Sequence, residues 1–346
     1  MFAFLSVLVG HKFYGYFNHL AGADQPVFVR AFAKVFLPSI NGGGAGVVVF
    51  FLVSGYVTML VLQHERPVAF LIRRAFRIYP LYVLALFAFT ATEFWRTGTR
   101  PATLDLLTQA LLIGDFFGTP YALTGIEWTL RIECLFYVLM AGLHALRLIG
   151  ERRRLLPLVL LVLTLTLGVV APIPSHHLWA KGYVTLYAPF LFLGTMTFLL
   201  EKKDIRLRVY LGFLALVFVQ YYVLLAMYQP AWLRVHFAPL AYFLFGGCWV
   251  LRSYFTAPNA VVVLSDMTFA VYLFHNWAFE HASTLTSQAV SNRLVTEISA
   301  VLMVFALSYT AMRLVEKPGI RLGRKVQARL LGTKPAPTQL SNARAS

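Results

Sequence analysis

Two charged residues, Arg131 and Glu133, interrupt the apolar stretch WTLRIECLFYVLM that runs from Trp128 to Met140. Glu127 lies four residues before Arg131, and this acid-first spacing on a helix favours an ion pair. Glu133 has no such partner, and an unpaired carboxylate inside a membrane helix costs roughly 2.5 kcal/mol or more. We therefore expect Glu133 to face a cavity and to belong to a functional site, with a structural polar clamp as the alternative.

Two histidines form the second set of candidate residues. His11, in VLVGHKFYGYF, lies about 15 Å into the first apolar stretch, which is near the middle of a bilayer. His275, in AVYLFHNWAFE, has a similar depth. Histidine exchanges protons near neutral pH and is suited to general-base catalysis. Two histidines at one level predict a shared polar cavity. The alternative is a structural hydrogen bond, which is the favoured interpretation for His275 taken alone.

Arginines are concentrated in the stretch FLIRRAFRIYP. Arg74 and Arg77 are spaced i,i+3, and Arg73 and Arg77 are spaced i,i+4, so either pair can share a helical face. Guanidinium groups bind phosphate through two parallel hydrogen bonds, so such a pair is suited to a phosphorylated substrate. Arginines that only set membrane topology would show the same pattern. In GVVVFFLVSGYV, Ser54 and Gly55 are small residues that permit close helix packing.

The composition indicates a helical membrane protein. Hydrophobic residues make up 59% of the 346-residue chain and charged residues 13%, and the mean hydropathy is +0.70. The formal net charge of +16 would suit nucleic-acid binding. Most basic residues, however, lie in short loops between apolar stretches, which is typical of membrane proteins. Cys134 and Cys248 fall in apolar stretches, where we expect buried thiols without a disulfide or a metal.

We predict an all-α polytopic membrane bundle of about ten transmembrane helices with both termini in the cytoplasm. The approximate limits of the predicted spans are 1–17, 45–63, 78–94, 128–146, 155–171, 182–200, 207–228, 237–251, 262–282 and 294–314. The shorter segment 102–117 is expected to form an interfacial or re-entrant helix. Residues 1–320 then form one membrane domain, and residues 321–346 a basic, disordered cytoplasmic tail. We find no signal peptide and no internal repeat.

Taken in order, these pieces resemble the motifs of the integral-membrane acyltransferase-3 family. Members look like ten-span proteins with a histidine late in the first span, which is His11 here. The further motifs of the family match Gly46, Val47, Phe50, Phe51, Ser54 and Gly55; Arg74, Arg77 and Pro80; Trp128, Thr129, Leu130, Glu133, Phe136 and Tyr137; Tyr272, Leu273 and His275; and Val315, Glu316 and Pro318. Each motif is weak alone, but six of them in the same order cover nearly the whole chain.

The resemblance implies a multi-pass enzyme of the cell inner membrane. It would transfer an acyl group, usually acetyl from acetyl-CoA, to a hydroxyl of a sugar, glycan or macrolide acceptor. The resemblance implies His11 and Glu133 as catalytic residues and Arg74 and Arg77 as the acyl-CoA site. The implied acceptor or cavity residues are Ser54, Trp128, Tyr137 and His275. The expected partners are acyl-CoA, the acceptor and membrane lipid, with no bound cofactor, metal or nucleic acid.

Two departures from the family pattern keep other interpretations open. The family usually has an arginine about ten residues before the first histidine, and the chain holds no residue there. A start upstream of Met1, or an inactive product with a shortened N-terminus, is therefore one alternative. The late histidine is usually followed by x-Pro, and here Asn276 and Trp277 follow. A transporter or flippase and a non-catalytic scaffold are the other classes, although no repeat relates the two halves as in many transporters.

Overall fold

The computed structural model describes residues 2–176, 179–256 and 258–332. Over these ranges the chain is helical, with no residue in a β-strand, so the predicted all-α class is confirmed there. The α-helices are α1 Phe2–Lys12, α2 Tyr14–Leu20, α3 Val27–Ile40, α4 Gly44–Leu62, α5 Pro67–Thr97, α6 Thr103–Ala110, α7 Trp128–Ala145, α8 Leu156–Val169, α9 Tyr183–Glu201, α10 Leu207–Tyr228, α11 Phe237–Val250, α12 Asn259–Asp266, α13 Thr268–Phe274, α14 Trp277–Ser287, α15 Arg293–Ala311 and α16 Lys317–Leu331.

Several of these helices have the length and composition of membrane spans. Within the described ranges, five helical stretches qualify: Val27–Leu62, Pro67–Thr97, Tyr183–Glu201, Leu207–Tyr228 and Arg293–Leu331. Two shorter apolar helices, α1 and α11, accompany them. Many large apolar side chains on these helices point outward, as expected for a surface covered by lipid. The chain is thus a helical membrane protein, and the count of ten spans and the cytoplasmic position of both termini stay predictions.

The N-terminal region differs from the predicted pattern of one span followed by a loop. The predicted span 1–17 is broken at Phe13, where α1 ends and α2 begins. A further helix, α3, follows in a region to which we assigned no element. Two glycines with positive φ, Gly42 and Gly43, then turn the chain directly into α4. The first three residues of NGGGAG thus form a tight turn between two helices, because glycine adopts these backbone angles without strain, and the last three begin α4.

The predicted span 262–282 is also interrupted. It consists of α12, α13 and α14, with breaks at Met267 and between Phe274 and Trp277. At the second break, the ring Nδ1–H of His275 donates to the backbone oxygen of Tyr272 at 2.7 Å. In a continuous helix that oxygen would accept from the N–H of Asn276. The histidine side chain therefore competes with the helix for its own backbone partner.

Helix α5 extends well beyond the predicted span 78–94 and passes through Pro80 without a break. Proline leaves the carbonyl four residues earlier without its helical donor, and here that carbonyl belongs to Phe76. α16 packs on α5 at this point, and a Cβ atom at Gly319 would lie 3.0 Å from the Phe76 oxygen. The close approach of a glycine allows α16 to cover the defect in α5.

Helices α4 and α9 pack closely at the centre of the bundle. A Cβ atom at Gly55 would lie 1.9 Å from the backbone oxygen of Leu191, and one at Gly194 would lie 2.1 Å from that of Leu52. Any larger side chain at either glycine would push the two helices apart. The predicted packing role of Gly55 is therefore confirmed.

Three smaller predictions are also answered by the fold. The segment 102–117 contains the eight-residue helix α6, and its placement at an interface stays a prediction. Cys134 is half-buried, but Cys248 is exposed, because the outer face of a membrane helix is apolar too. α16 runs to Leu331, so the first part of the predicted disordered tail is helical. Residues 333–346 of that tail lie outside the described residues.

Candidate active site

A first cavity of about 260 Å³, which we call the inner cavity, lies between α1, α4, α5, α7 and α13. Most of its wall is apolar. Its polar groups lie on four helices and are Ser54 and Thr58 of α4, Arg74 and Arg77 of α5, Thr129, Glu133 and Tyr137 of α7, and Thr268 and Tyr272 of α13. An apolar cavity with a few convergent polar and charged groups has the character of a ligand site.

Glu133 is held by two hydroxyl groups in this cavity. Ser54 Oγ donates to Glu133 Oε1 at 3.0 Å, and the Tyr137 hydroxyl donates to the same oxygen. Tyr137 lies one helical turn after Glu133 on α7, whereas Ser54 reaches it from α4. The glutamate is 6% exposed, so these bonds replace the water it has lost.

Arg74 and Arg77 present their guanidinium groups to the same cavity. Arg74 stacks on the rings of Phe70 and Tyr137 at 5.3 and 5.1 Å from their centroids, which fixes its plane. Among the residues that the structure describes, neither arginine forms an ion pair. Two cations without bonded carboxylates suit an anionic ligand.

Arg73 points elsewhere. It pairs with Glu65 at 3.0 Å and donates from Nε to Gln327 of α16 at 2.7 Å. Glu65 lies in the loop before α5, where burial raises its pKa and the charges of Arg73 and Arg74 oppose that rise. Of the two pairs that the sequence allowed, the structure therefore brings Arg74 and Arg77 together at the cavity.

A second cavity of about 300 Å³, the outer cavity, lies further along α1, α4, α7 and α13 and is lined by α9 and α11 as well. Its wall is largely aromatic, with Trp128, Trp179, Tyr183, Tyr187, Trp232 and Phe237, and it includes His11. The ring of Trp128 lies 4.4 Å from that of Tyr183 and 5.1 Å from that of Tyr187, so these three form one packed group. His11 is the one ionisable group other than tyrosine among the described residues lining this cavity.

The two candidate histidines lie side by side. Their ring centroids are 5.2 Å apart, and the planes cross at 74°. His11 Nε2 lies 3.2 Å from the backbone oxygen of Gly42, which can only accept, so Nε2 carries the proton and Nδ1 keeps a lone pair. His275 is buried behind His11 and its Nε2 has no hydrogen-bond partner within the described residues. The two histidines thus lie at a common level, as predicted, but only His11 lines the outer cavity and His275 lines neither cavity, so the predicted sharing of one polar cavity is wrong for these two cavities.

The two cavities share Val7, Val47 and Tyr272. On α1 the order from inner to outer is Phe4, Val7 and His11. On α13, Thr268 and Phe269 line the inner cavity and Tyr272 lines both. The first residues of α4 and α7, Gly44 and Trp128, line only the outer cavity, and both helices then continue along the inner cavity. The cavities are therefore stacked along one bundle and separated by two valines and a tyrosine ring.

Arg131 is bound by acidic groups of the connection that precedes α7. Its Nη1 lies 2.6 Å from Asp115 Oδ1, and its Nη2 lies 3.8 Å from Glu127 Oε1. The Tyr121 hydroxyl donates to the same Asp115 oxygen at 2.6 Å, and its ring lies 4.3 Å below the Arg131 guanidinium. All four side chains are mostly buried. This cluster fixes residues 113–127, which supply Thr124, Gly125 and Ile126 to the outer cavity.

Comparison with known proteins gives the family of the chain. A profile of the family described as an acyltransferase domain matches residues 1–313. The chain belongs to the acyltransferase-3 family. It is also similar to the exopolysaccharide production protein ExoZ of Rhizobium meliloti (strain 1021), with 28% identity over 327 residues that cover 84% of this chain and 94% of that protein. No solved structure matches the chain significantly.

The predicted site residues of this acyltransferase fall into two groups. Arg74, Arg77, Ser54, Glu133 and Tyr137 line the inner cavity. His11 and Trp128 line the outer cavity, with His275 directly behind. His11 and Glu133, both implied as catalytic residues by the resemblance, therefore line different cavities, and their hydrogen bonds go to different partners.

Sequence reasoning missed three residues of this region. Asp115 is the nearest partner of Arg131, although Glu127 has the helical spacing. Trp179 and Trp232 come from connections that carry no periodic pattern, so only their aromatic character could have drawn attention to them. Among the residues described, no group of three His, Cys, Asp or Glu side chains is arranged to hold a metal ion.

Lys12 contacts Asn276, one of the two residues that stand after His275 in place of the x-Pro of the family pattern. Its ammonium group donates to Asn276 Oδ1 at 2.6 Å and pairs with Glu280 at 3.1 Å. Asn276 follows His275 in the gap between α13 and α14. The lysine beside His11 is thereby held by the segment that follows the second histidine.

Proposed function

We propose that this chain is a membrane O-acyltransferase that moves an acetyl group from acetyl-CoA to a sugar hydroxyl of a glycan. Membership of the acyltransferase family and similarity to an exopolysaccharide production protein support this reaction class. The observation that carries the proposal is the stacking of a basic inner cavity and a histidine-bearing outer cavity on one set of helices.

The inner cavity is the proposed donor site. Coenzyme A carries phosphates, and Arg74 and Arg77 can bind them in the planar two-pronged manner of guanidinium groups. The apolar wall of α1 and α4 beyond the arginines suits the uncharged arm that carries the thioester. Glu133, held by Ser54 and Tyr137, is the proposed positioning residue that balances the two arginine charges.

The outer cavity is the proposed acceptor site, with His11 as general base. The acceptor oxygen attacks the thioester carbonyl carbon as its proton passes to His11 Nδ1. The new C–O bond forms, the C–S bond breaks, and the proton of His11 then goes to the departing thiolate of coenzyme A. The bond from His11 Nε2–H to Gly42 keeps Nδ1 free to accept.

We also propose an orientation of the protein in the cell inner membrane. Coenzyme A is a cytoplasmic metabolite, so the arginine end faces the cytoplasm and the aromatic end faces the opposite side. Both termini of a ten-span chain then lie in the cytoplasm, with residues 1–320 as the enzyme domain and the rest of the chain as a basic tail.

Sealed vesicles of opposite orientation test the reaction and its sidedness together. Inverted membrane vesicles that contain the protein should incorporate label from [¹⁴C]acetyl-CoA into glycan, whereas sealed right-side-out vesicles should not. Vesicles from cells that lack the protein are the control. Equal labelling in both orientations would contradict the orientation, and no labelling in either would contradict the acyl transfer. Movement of unlabelled glycan across the membrane would instead support a transporter.

A further inference from the structure

We infer that the outer cavity is a binding site for one uncharged pyranose ring, recognised by Trp179 and Trp232. This inference rests on the proposed function and adds the two residues that recognise the acceptor ring and the requirement that this ring carries no charge. It names two tryptophans to which neither the family pattern nor the sequence pointed.

The two tryptophans are held in place by glycine backbones. A Cβ atom at Gly125 would lie 2.7 Å from Cη2 of Trp179, and one at Gly42 would lie 2.4 Å from Cη2 of Trp232. Both glycines have positive φ, 86° and 55° respectively, so the chain bends under each indole. Each indole packs directly on the backbone of its glycine, because no side chain lies between them. The two rings are thereby fixed as walls of the cavity.

Trp232 is adjacent to the proposed base. The same Gly42 that carries the Trp232 indole offers its backbone oxygen to His11 Nε2 at 3.2 Å. A ring that packs against Trp232 is therefore placed next to His11. Trp179 is tied to the other side of the site, because it packs on Tyr121 at 4.8 Å and on Tyr183 at 5.8 Å.

The chemistry of the wall selects the ligand. None of the described residues that line the cavity is Asp, Glu, Lys or Arg, so a phosphate or carboxylate would be buried there without a partner. If His11 is a general base, the ligand must carry a hydroxyl group, so a plain hydrocarbon chain is excluded as the ligand. A pyranose combines C–H faces, which suit aromatic rings, with hydroxyl groups at its edge. Thr124 Oγ1 donates to Leu123, so its lone pairs remain available to accept from such a hydroxyl.

The size of the cavity agrees with one ring. Its volume of about 300 Å³ is at the lower end of ligand pockets, which range over roughly 300–1,000 Å³. The remainder of a glycan would lie outside the cavity. Trp179 is 48% exposed and stands where the rest of the acceptor would leave.

Ligand-observed NMR tests this site without any acyl transfer. The purified protein in lipid nanodiscs is mixed in turn with methyl glucoside, methyl galactoside, methyl mannoside, glucuronate and glucose 6-phosphate. We expect saturation transfer to the ring C–H protons of at least one neutral pyranoside and none to the two charged sugars. Signals from no neutral sugar, or equal signals from the charged ones, would overturn the inference.

Matched variants assign the signal to the cavity. Trp179→Ala and Trp232→Ala should each weaken binding about three- to tenfold, the usual range for one aromatic ring. Trp232→Phe should recover part of it. Trp95→Ala is the control, because Trp95 is 92% exposed at the end of α5 and lines neither cavity. Unchanged binding in both tryptophan variants, with folded protein confirmed by gel filtration, would exclude the site.

Kinetics separate this inference from the proposed function. In inverted vesicles, Trp179→Ala should raise the acceptor KM and leave the KM for acetyl-CoA unchanged. Acetyl transfer with an unaltered acceptor KM would contradict the sugar site and leave the acyltransferase standing. Sugar binding by a protein that transfers no acetyl group would contradict the acyltransferase proposal and support the sugar site.

Discussion

The separation of His11 from Glu133 predicts that the two residues act independently. On α4, Gly44 lines the outer cavity with His11, and Ser54, the partner of Glu133, lines the inner cavity. Ten residues of helix separate 44 from 54, which corresponds to about 15 Å. Substitutions more than roughly 7–10 Å apart without shared partners usually add within about 0.5 kcal/mol.

The two single variants should change different kinetic constants. His11→Ala removes a general base, so kcat should fall about a hundredfold or more with little change in the KM for acetyl-CoA. Glu133→Gln keeps the acceptors for Ser54 and Tyr137 but removes the charge opposite Arg74 and Arg77. A neutral amide accepts weaker hydrogen bonds than a carboxylate, so Tyr137, on whose ring Arg74 stacks, is held less firmly in this variant. We expect the KM for acetyl-CoA to rise about tenfold, which corresponds to about 1.4 kcal/mol.

The double variant distinguishes independent action from a catalytic pair. Its kcat/KM should fall by the product of the two single effects, to within about twofold. The assay is labelled acetyl transfer in inverted vesicles, normalised to folded protein. A double variant no worse than His11→Ala would show that the residues act as one unit, as in a catalytic pair, and would refute independent cavities. Full activity of His11→Ala would exclude His11 as the general base.

Two further predictions concern the arginines. Arg77→Ala should raise the KM for acetyl-CoA about tenfold or more, and Arg77→Lys should recover only part of the affinity, because the planar fork is lost. The control Arg73→Ala should have a smaller effect, since Arg73 binds Glu65 and Gln327. The same KM for acetyl-CoA in all three variants would exclude Arg77 from the donor site. Arg131→Leu leaves carboxylates buried without their cation and should lower stability in detergent by about 3–5 kcal/mol, measured by thermal unfolding, and adding Asp115→Asn should restore part of it. An unaltered melting temperature for Arg131→Leu would show that the cluster does not fix the 113–127 connection.

The sequence was sufficient for the class of the protein but not for the breaks in its helices. Apolar length and basic loops predicted a helical membrane protein, because both follow from composition alone. The break after α13 depends on a hydrogen bond from the His275 ring to the backbone of Tyr272, and hydropathy carries no trace of it. The turn at Gly42 and Gly43 was visible as glycines, but not as a link between two helices.

The candidate site was predictable where its residues share a helix. Tyr137 is four residues from Glu133, so their contact follows from helical spacing. Ser54 comes from another helix, and its bond to Glu133 depends on how α4 packs against α7. Asp115 lies 16 residues before Arg131 in an irregular connection, so local spacing favoured Glu127 instead. Separation into two cavities is likewise a property of packing.

The helix break beside His275 forms in this chain without the proline of the family pattern. The family pattern has proline at the position of Trp277, which is the first residue of α14, where proline is favoured because its absent N–H needs no helical partner. Here the indole Nε1–H of Trp277 donates to the backbone oxygen of Leu273 at 3.0 Å. That oxygen is the one that a proline at 277 would leave without a helical donor. The break beside His275 is therefore maintained by side-chain hydrogen bonds, and Asn276, within it, is free to hold Lys12 next to His11.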